Sequence, residues 1–124
     1  MLHLDTNILI LGSEPGHAAH RLLRQWVDDA IPVAVSAMAW AEFRCGPASA
    51  SAVAAWEQAV GEAVIAIDRE IAERASLLLN HTGRRSRSLP DCIIAATAIM
   101  HGARLATLNR ADFAAFRTHG LELA

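Results

Sequence analysis

The chain has no lysine and no tyrosine among its 124 residues. Without lysine there can be no P-loop lysine, no Schiff-base nucleophile and no receiver-domain lysine. Without tyrosine there is no phenolic nucleophile. Cysteine is scarce as well: Cys45 and Cys92 stand alone, without CxxC spacing. Two such residues cannot build a disulfide framework, and both read as small buried thiols in a reducing compartment. No apolar run approaches the roughly 20 residues that span a bilayer. No basic leader followed by an apolar core and a small-residue cleavage site appears. These absences predict a soluble, cytoplasmic protein with no membrane partner. A dominant charge is missing too. The net charge is −2, with arginine supplying all 11 basic side chains, so the molecule is not a polycation that coats nucleic acid. The six histidines, at 3, 17, 20, 81, 101 and 119, lack HExxH spacing, and no serine sits in a nucleophile-elbow sequence.

What is present is apolar. Hydrophobic residues make up 53% of the chain and the mean hydropathy is +0.26. A single domain of this length buries a real core, and the surplus leaves room for a partner-covered apolar face. The pattern alternates short strands and helices. Strands are predicted at 1–5, 31–35, 63–67 and 103–108, with an edge strand at 121–123. Thr6 is read as the cap of a short helical turn to Leu11. A helix at 17–30 would bury Ala19, Leu22, Leu23, Trp26 and Val27. Ser36 is read as the cap of a helix through Cys45, a further helix covers about 48–61, and Asp68 caps one reaching about His81. Pro90 opens the helix that ends at Met100 before Gly102. Strands alternating with helices predict an α/β sandwich with a mostly parallel central sheet of four to five strands.

Four acids recur at informative places. Asp5 ends the first strand, at the rim where open α/β sheets hold their ligands. Glu42 lies one and a half turns into the helix after the second strand. Asp91 stands in the first turn from Pro90, where it could merely complement the helix N-terminus. Asp112 follows the strand ending near Leu108 and could be part of a turn. Each alone is ambiguous. Gathered together, carboxylates raise one another's pKa unless a cation sits among them. Oxygen-only ligands suit Mg²⁺, with Mn²⁺ an alternative, and such an ion can activate water for attack on a phosphodiester.

Four segments carry a resemblance: Leu4-Asp5-Thr6-Asn7, Ala41-Glu42-Phe43, Pro90-Asp91-Cys92-Ile93-Ile94-Ala95-Ala96-Thr97-Ala98, and Leu105-Ala106-Thr107-Leu108-Asn109 followed by Asp112-Phe113. In this order and spacing they resemble PIN-domain ribonucleases, above all the VapC-type toxins of toxin–antitoxin pairs, over essentially the whole chain. The resemblance implies a PIN-like three-layer sandwich as one domain over residues 1–124. It implies that Asp5, Glu42 and Asp91 are catalytic carboxylates and metal ligands. Asp112 is read as the fourth, with Asn109 competing for that place. Thr6, Asn7, Thr107 and Asn109 are expected to orient the acids. The implied activity is Mg²⁺-dependent cleavage of a structured RNA, transfer or ribosomal. The implied partners are a VapB-type antitoxin and a second copy of the chain, in a homodimer.

Other features stay open at this level. Arg84 and Arg85 precede Asp91 and could contact the RNA backbone, since arginine binds phosphate bidentately; a merely solvated loop is equally compatible. Trp26, Trp40 and Trp56 read first as core or interface packing rather than base stacking. A non-catalytic module that binds RNA or protein, and a metal-dependent DNA nuclease, remain alternatives. A dehalogenase-type phosphatase is disfavoured, because Asp5-Thr6-Asn7 lacks that family's second aspartate.

Overall fold

The computed structural model describes residues 1–83 and 88–124. In chain order its strands are β1 (Leu2–Leu4), β2 (Val33–Ser36), β3 (Val64–Ile65), β4 (Arg104–Ala106) and β5 (Glu122–Leu123). They form one sheet in the order β3-β2-β1-β4-β5, and every pairing is parallel. Parallel strands need crossovers, and helices supply them. These are α1 (Thr6–Gly12), α2 (Ala18–Asp28), α3 (Ala37–Cys45), α4 (Ala50–Val60), α5 (Arg69–Thr82), α6 (Leu89–Met100) and α7 (Arg110–Phe113). A 3₁₀ turn at Ala114–His119 follows α7. The architecture is the expected α/β sandwich, and its sheet is wholly parallel.

β1 is the central strand, and all three of its residues are buried. That explains why Leu2-His3-Leu4 shows no polar alternation: both faces are covered by helices. The same holds for α6, where Cys92 through Ala98 are all buried. A helix hydrophobic all round lies inside the molecule. Gly102, at φ +60°, ends it and turns the chain back into β4.

The differences from the predicted elements have local causes. Asp5, not Thr6, caps α1: its side chain accepts the Thr6 N–H at 2.8 Å. Ser36 and Asp68 cap as expected, accepting from Ala39 N–H at 3.0 Å and Ile71 N–H at 2.8 Å. The buried face of α2 is narrower than predicted. Ala19 and Leu23 are buried, but Leu22 is 38% and Val27 70% exposed. Cys92 is buried, whereas Cys45, at the C-terminal end of α3, is exposed; only one thiol is a core residue. Trp56 is half-buried, its indole N–H donating to the Leu9 carbonyl at 3.0 Å and to Ser13 Oγ at 2.8 Å. That bond ties α4 to α1. Among the described residues no helix is long and apolar enough to cross a membrane.

Candidate active site

The register of the sheet builds the site. Leu4 on β1 pairs with Ala106 on β4. The next residue of each strand, Asp5 and Thr107, therefore leaves the sheet on neighbouring paths at its C-terminal edge. The Asp5 N–H still donates to the Ala106 carbonyl at 3.0 Å. Beyond it, Thr107 Oγ1 donates to Asp5 Oδ2 at 2.7 Å, while Asp5 Oδ1 takes the Thr6 N–H. Both oxygens of Asp5 are thus held, and its rotamer is fixed. The residue is 4% exposed.

The neighbouring polar residues lock this corner together. The Asn109 N–H donates to Thr107 Oγ1 at 3.0 Å, and the Leu108 N–H donates to Asn7 Oδ1 at 3.2 Å. Asn7 therefore staples α1 to the turn after β4. Thr6 Oγ1 donates to Glu42 Oε1 at 2.9 Å, which draws α3 towards the end of β1. Asp91 enters from the first turn of α6, where its N–H donates to Ser88 Oγ at 3.2 Å. Ser88, rather than Pro90, thus begins this corner as the cap of α6. Its signal was legible: Ser88-Leu89-Pro90-Asp91 has the Ser-x-x-acid spacing that marks a helix start.

The electrostatics show which acids meet. Burial is the main cause that raises the Asp5 pKa above the ordinary carboxylate value. The hydrogen bonds from Thr107 and Thr6 act against it, and the charges of Asp91 and Glu42 raise it further. Asp91 and Glu42 are thus each within electrostatic reach of Asp5. Asp112 is exposed on α7, and its charge is not among those acting on Asp5. Asn109 sits at the start of α7, joined to the cluster by its backbone N–H. Arg84 and Arg85 lie outside the described residues.

The donor set fits a hard divalent cation. It offers carboxylate oxygens only, with no histidine or thiol in the cluster. Among the described residues no basic side chain pairs with Asp5 or Glu42, since the ion pairs join Arg44 to Glu57 and Arg69 to Glu73. Nor do any three acidic, histidine or cysteine side chains among those residues form a ready-made metal cage. A hard divalent cation needs only one or two of these carboxylates directly, with water completing its shell.

The PIN domain family matches residues 2–117 of the chain. No curated protein matches it. Among solved structures the chain is similar to a toxin–antitoxin complex from Klebsiella pneumoniae, at 34% identity over 92% of this chain and 91% of that one, with a TM-score of 0.72. It also resembles VapBC2 from Rickettsia felis bound to a DNA fragment from their promoter, at 19% identity over 100% and 98% of the two chains and a TM-score of 0.79. FitAcB from Neisseria gonorrhoeae is similar at 22% identity over 100% and 97%, with a TM-score of 0.77. The last two likenesses speak for the fold alone. With the match running from β1 to the turn after α7, the chain belongs to the PIN domain family.

Proposed function

We propose that this protein is the toxin of a type II toxin–antitoxin pair and a metal-dependent endoribonuclease acting on structured RNA, transfer or ribosomal. PIN domains are generally nucleases. The single observation that carries the reading is the buried Asp5, fixed through both oxygens and raised in pKa beside Asp91 and Glu42. A carboxylate placed where its charge is costly points to a counter-ion that the protein was built to receive. Asp5 and Asp91 would hold that ion directly. Glu42, steadied by Thr6, would complete the pocket and orient water. Asp112, or Asn109 in its place, is the candidate for the remaining position. When bound, Mg²⁺ or Mn²⁺ supplies the positive charge that activates water and offsets the charge developing on the phosphate.

The decisive assay incubates the purified chain with RNA and, separately, DNA, in Mg²⁺ or Mn²⁺ and then in EDTA. RNA cutting that EDTA abolishes supports the reading. Cutting of DNA alone would make it a deoxyribonuclease, and binding without cutting a non-catalytic module.

The contribution of Thr107 can be tested separately. Thr107→Val removes the hydroxyl that donates to Asp5 and accepts from Asn109 while keeping the shape. Loss of a group that orients a metal ligand typically costs about 10–100-fold in metal affinity or activity. A titration of cleavage rate against Mg²⁺ should show the loss mainly as a higher Mg²⁺ requirement. An unchanged titration curve would mean Asp5 needs no such support.

An antitoxin would dock in an apolar groove of the toxin. A groove of about 620 Å³ lies between α1, α2 and α4, with Leu23, Val27, Ala52, Ala55 and Trp56 in its walls. It answers the apolar surplus of the sequence, and Val27 stands 70% exposed there. Val27→Asp should abolish co-purification with the antitoxin and leave the melting temperature close to wild type. Retention of the complex would place the partner elsewhere. The chain is further expected to form a homodimer in the cytoplasm.

A further inference from the structure

A second cavity adjoins the acid cluster and is unexplained by metal chemistry. It has a volume of about 250 Å³ and lies between α1, α2 and the turn after β4, lined chiefly by Ile8, Leu22, Trp26, Thr107, Leu108 and Arg110. Thr107 belongs to both places: its hydroxyl holds Asp5 while the residue forms part of the cavity wall. A phosphate attacked beside Asp5 would therefore lie next to a wall of this cavity. We infer that the cavity receives one unstacked nucleobase of the RNA, next to the bond that is cut, with Trp26 and Leu108 as apolar walls and Arg110 at the backbone. This rests on the ribonuclease reading and adds to it a subsite for a base.

Three observations support that occupant. First, the size: pockets for drug-sized ligands run to about 300–1,000 Å³, so this one suits a single flat ring system. Second, the lining is apolar and includes an aromatic ring, while Leu22 and Leu108 remain 38% and 40% exposed around it. Proteins that read RNA take unpaired bases against aromatic and apolar surfaces in this way. Third, the charge. Arg110 supplies a cation at the border of the cavity. One of its terminal nitrogens donates to the Ala124 carbonyl. That bond occupies one donor of the planar guanidinium and leaves others for a phosphate.

The test uses RNA hairpin oligonucleotides in Mg²⁺, their loops first randomised in sequence to locate the cut. An abasic nucleotide is then placed at each position flanking it. One abasic position should raise the wild-type KM by roughly 5- to 100-fold, the usual worth of a stacked base. Leu22→Ala and Leu108→Ala should raise KM for the intact RNA, and the abasic nucleotide should then cost them little more. Trp26→Leu should behave alike; should it fail to fold, the two exposed leucines still decide the matter. If RNA is cut but abasic nucleotides are tolerated at every position, or both leucine variants match wild type, the subsite is wrong and the nuclease reading stands. If the wild-type chain cuts no RNA, both are overturned.

Discussion

Replacing Asp5 by asparagine should abolish cleavage and, in metal-free buffer near pH 7, raise the melting temperature. The two effects share one cause. Asp5 is buried, and its pKa is raised by desolvation and by Asp91 and Glu42. A raised carboxylate pKa means that ionising Asp5 costs the folded state more than the unfolded one. That cost is absent below the unfolded pKa and grows as pH rises through the folded one. Asparagine is isosteric and neutral. Its carbonyl can still accept the Thr6 N–H, and its amide can donate to Thr107 Oγ1. The variant therefore keeps the corner and loses the buried charge, so its gain in melting temperature should vanish as pH falls towards 4. Activity should fall about a thousandfold or more, since a metal supplies several kcal/mol to the transition state. Added Mg²⁺ should stabilise the wild type by mass action, by about 2.7 kcal/mol at a hundred times its Kd, and the variant much less. Cleavage within a few-fold of wild type would remove Asp5 from the metal site. A lower melting temperature in metal-free buffer would show that its charge stabilises the fold.

The sequence made much of this corner legible, and the reason is geometric. A strand of three buried residues ending in an acid announces itself, because the apolar run is short and the carboxylate abrupt. A parallel sheet gathers the C-terminal ends of its strands at one edge, so Asp5 and the segment after β4 were expected at one rim, whereas the role of Thr107 came from the family resemblance and its contact with Asp5 from the strand order. The long apolar helix from Pro90 was equally plain, since Cys92 through Ala98 leave no polar face. What failed depended on details that periodicity does not carry. Helix caps are decided by one hydrogen bond, so Asp5 displaced Thr6. The face of α2 was overestimated at Leu22 and Val27 because apolar residues lining a groove follow the same spacing as those in a core. Cys45 was misjudged for a similar reason: composition favours a buried thiol, and only its place at the exposed end of α3 decides otherwise. Asp112 lies one helical turn from Asn109, and no spacing rule says which of them turns towards the acids.

His3 should make the fold acid-sensitive. It lies on β1 between Leu2 and Leu4, 1% exposed, and neither ring nitrogen has a hydrogen-bond partner among the described residues. Its ring is 5.5 Å from that of His101. Burial, then the charge of His101, then that of the Met1 amino group lower its pKa from 6.5 to about 4. Between those values the unfolded chain binds a proton that the folded chain refuses. Stability must then rise with pH across this window, being complete above 6.5 and lost progressively down to about 4. At 1.36 kcal/mol per unit of pKa the full loss is about 3 kcal/mol, a large share of the roughly 5–15 kcal/mol that holds a domain together. Asp5 acts with the opposite sign, since its raised pKa favours the folded state as pH falls, so the wild-type curve alone would blend the two. His3→Leu isolates the histidine, because leucine meets the same apolar surroundings and leaves Asp5 in place. Urea midpoints in EDTA, from pH 7.5 down to 4.5, should fall steeply for the wild type and much less for the variant. Parallel curves for the two proteins would show that His3 is protonated as readily in the fold as in the unfolded chain.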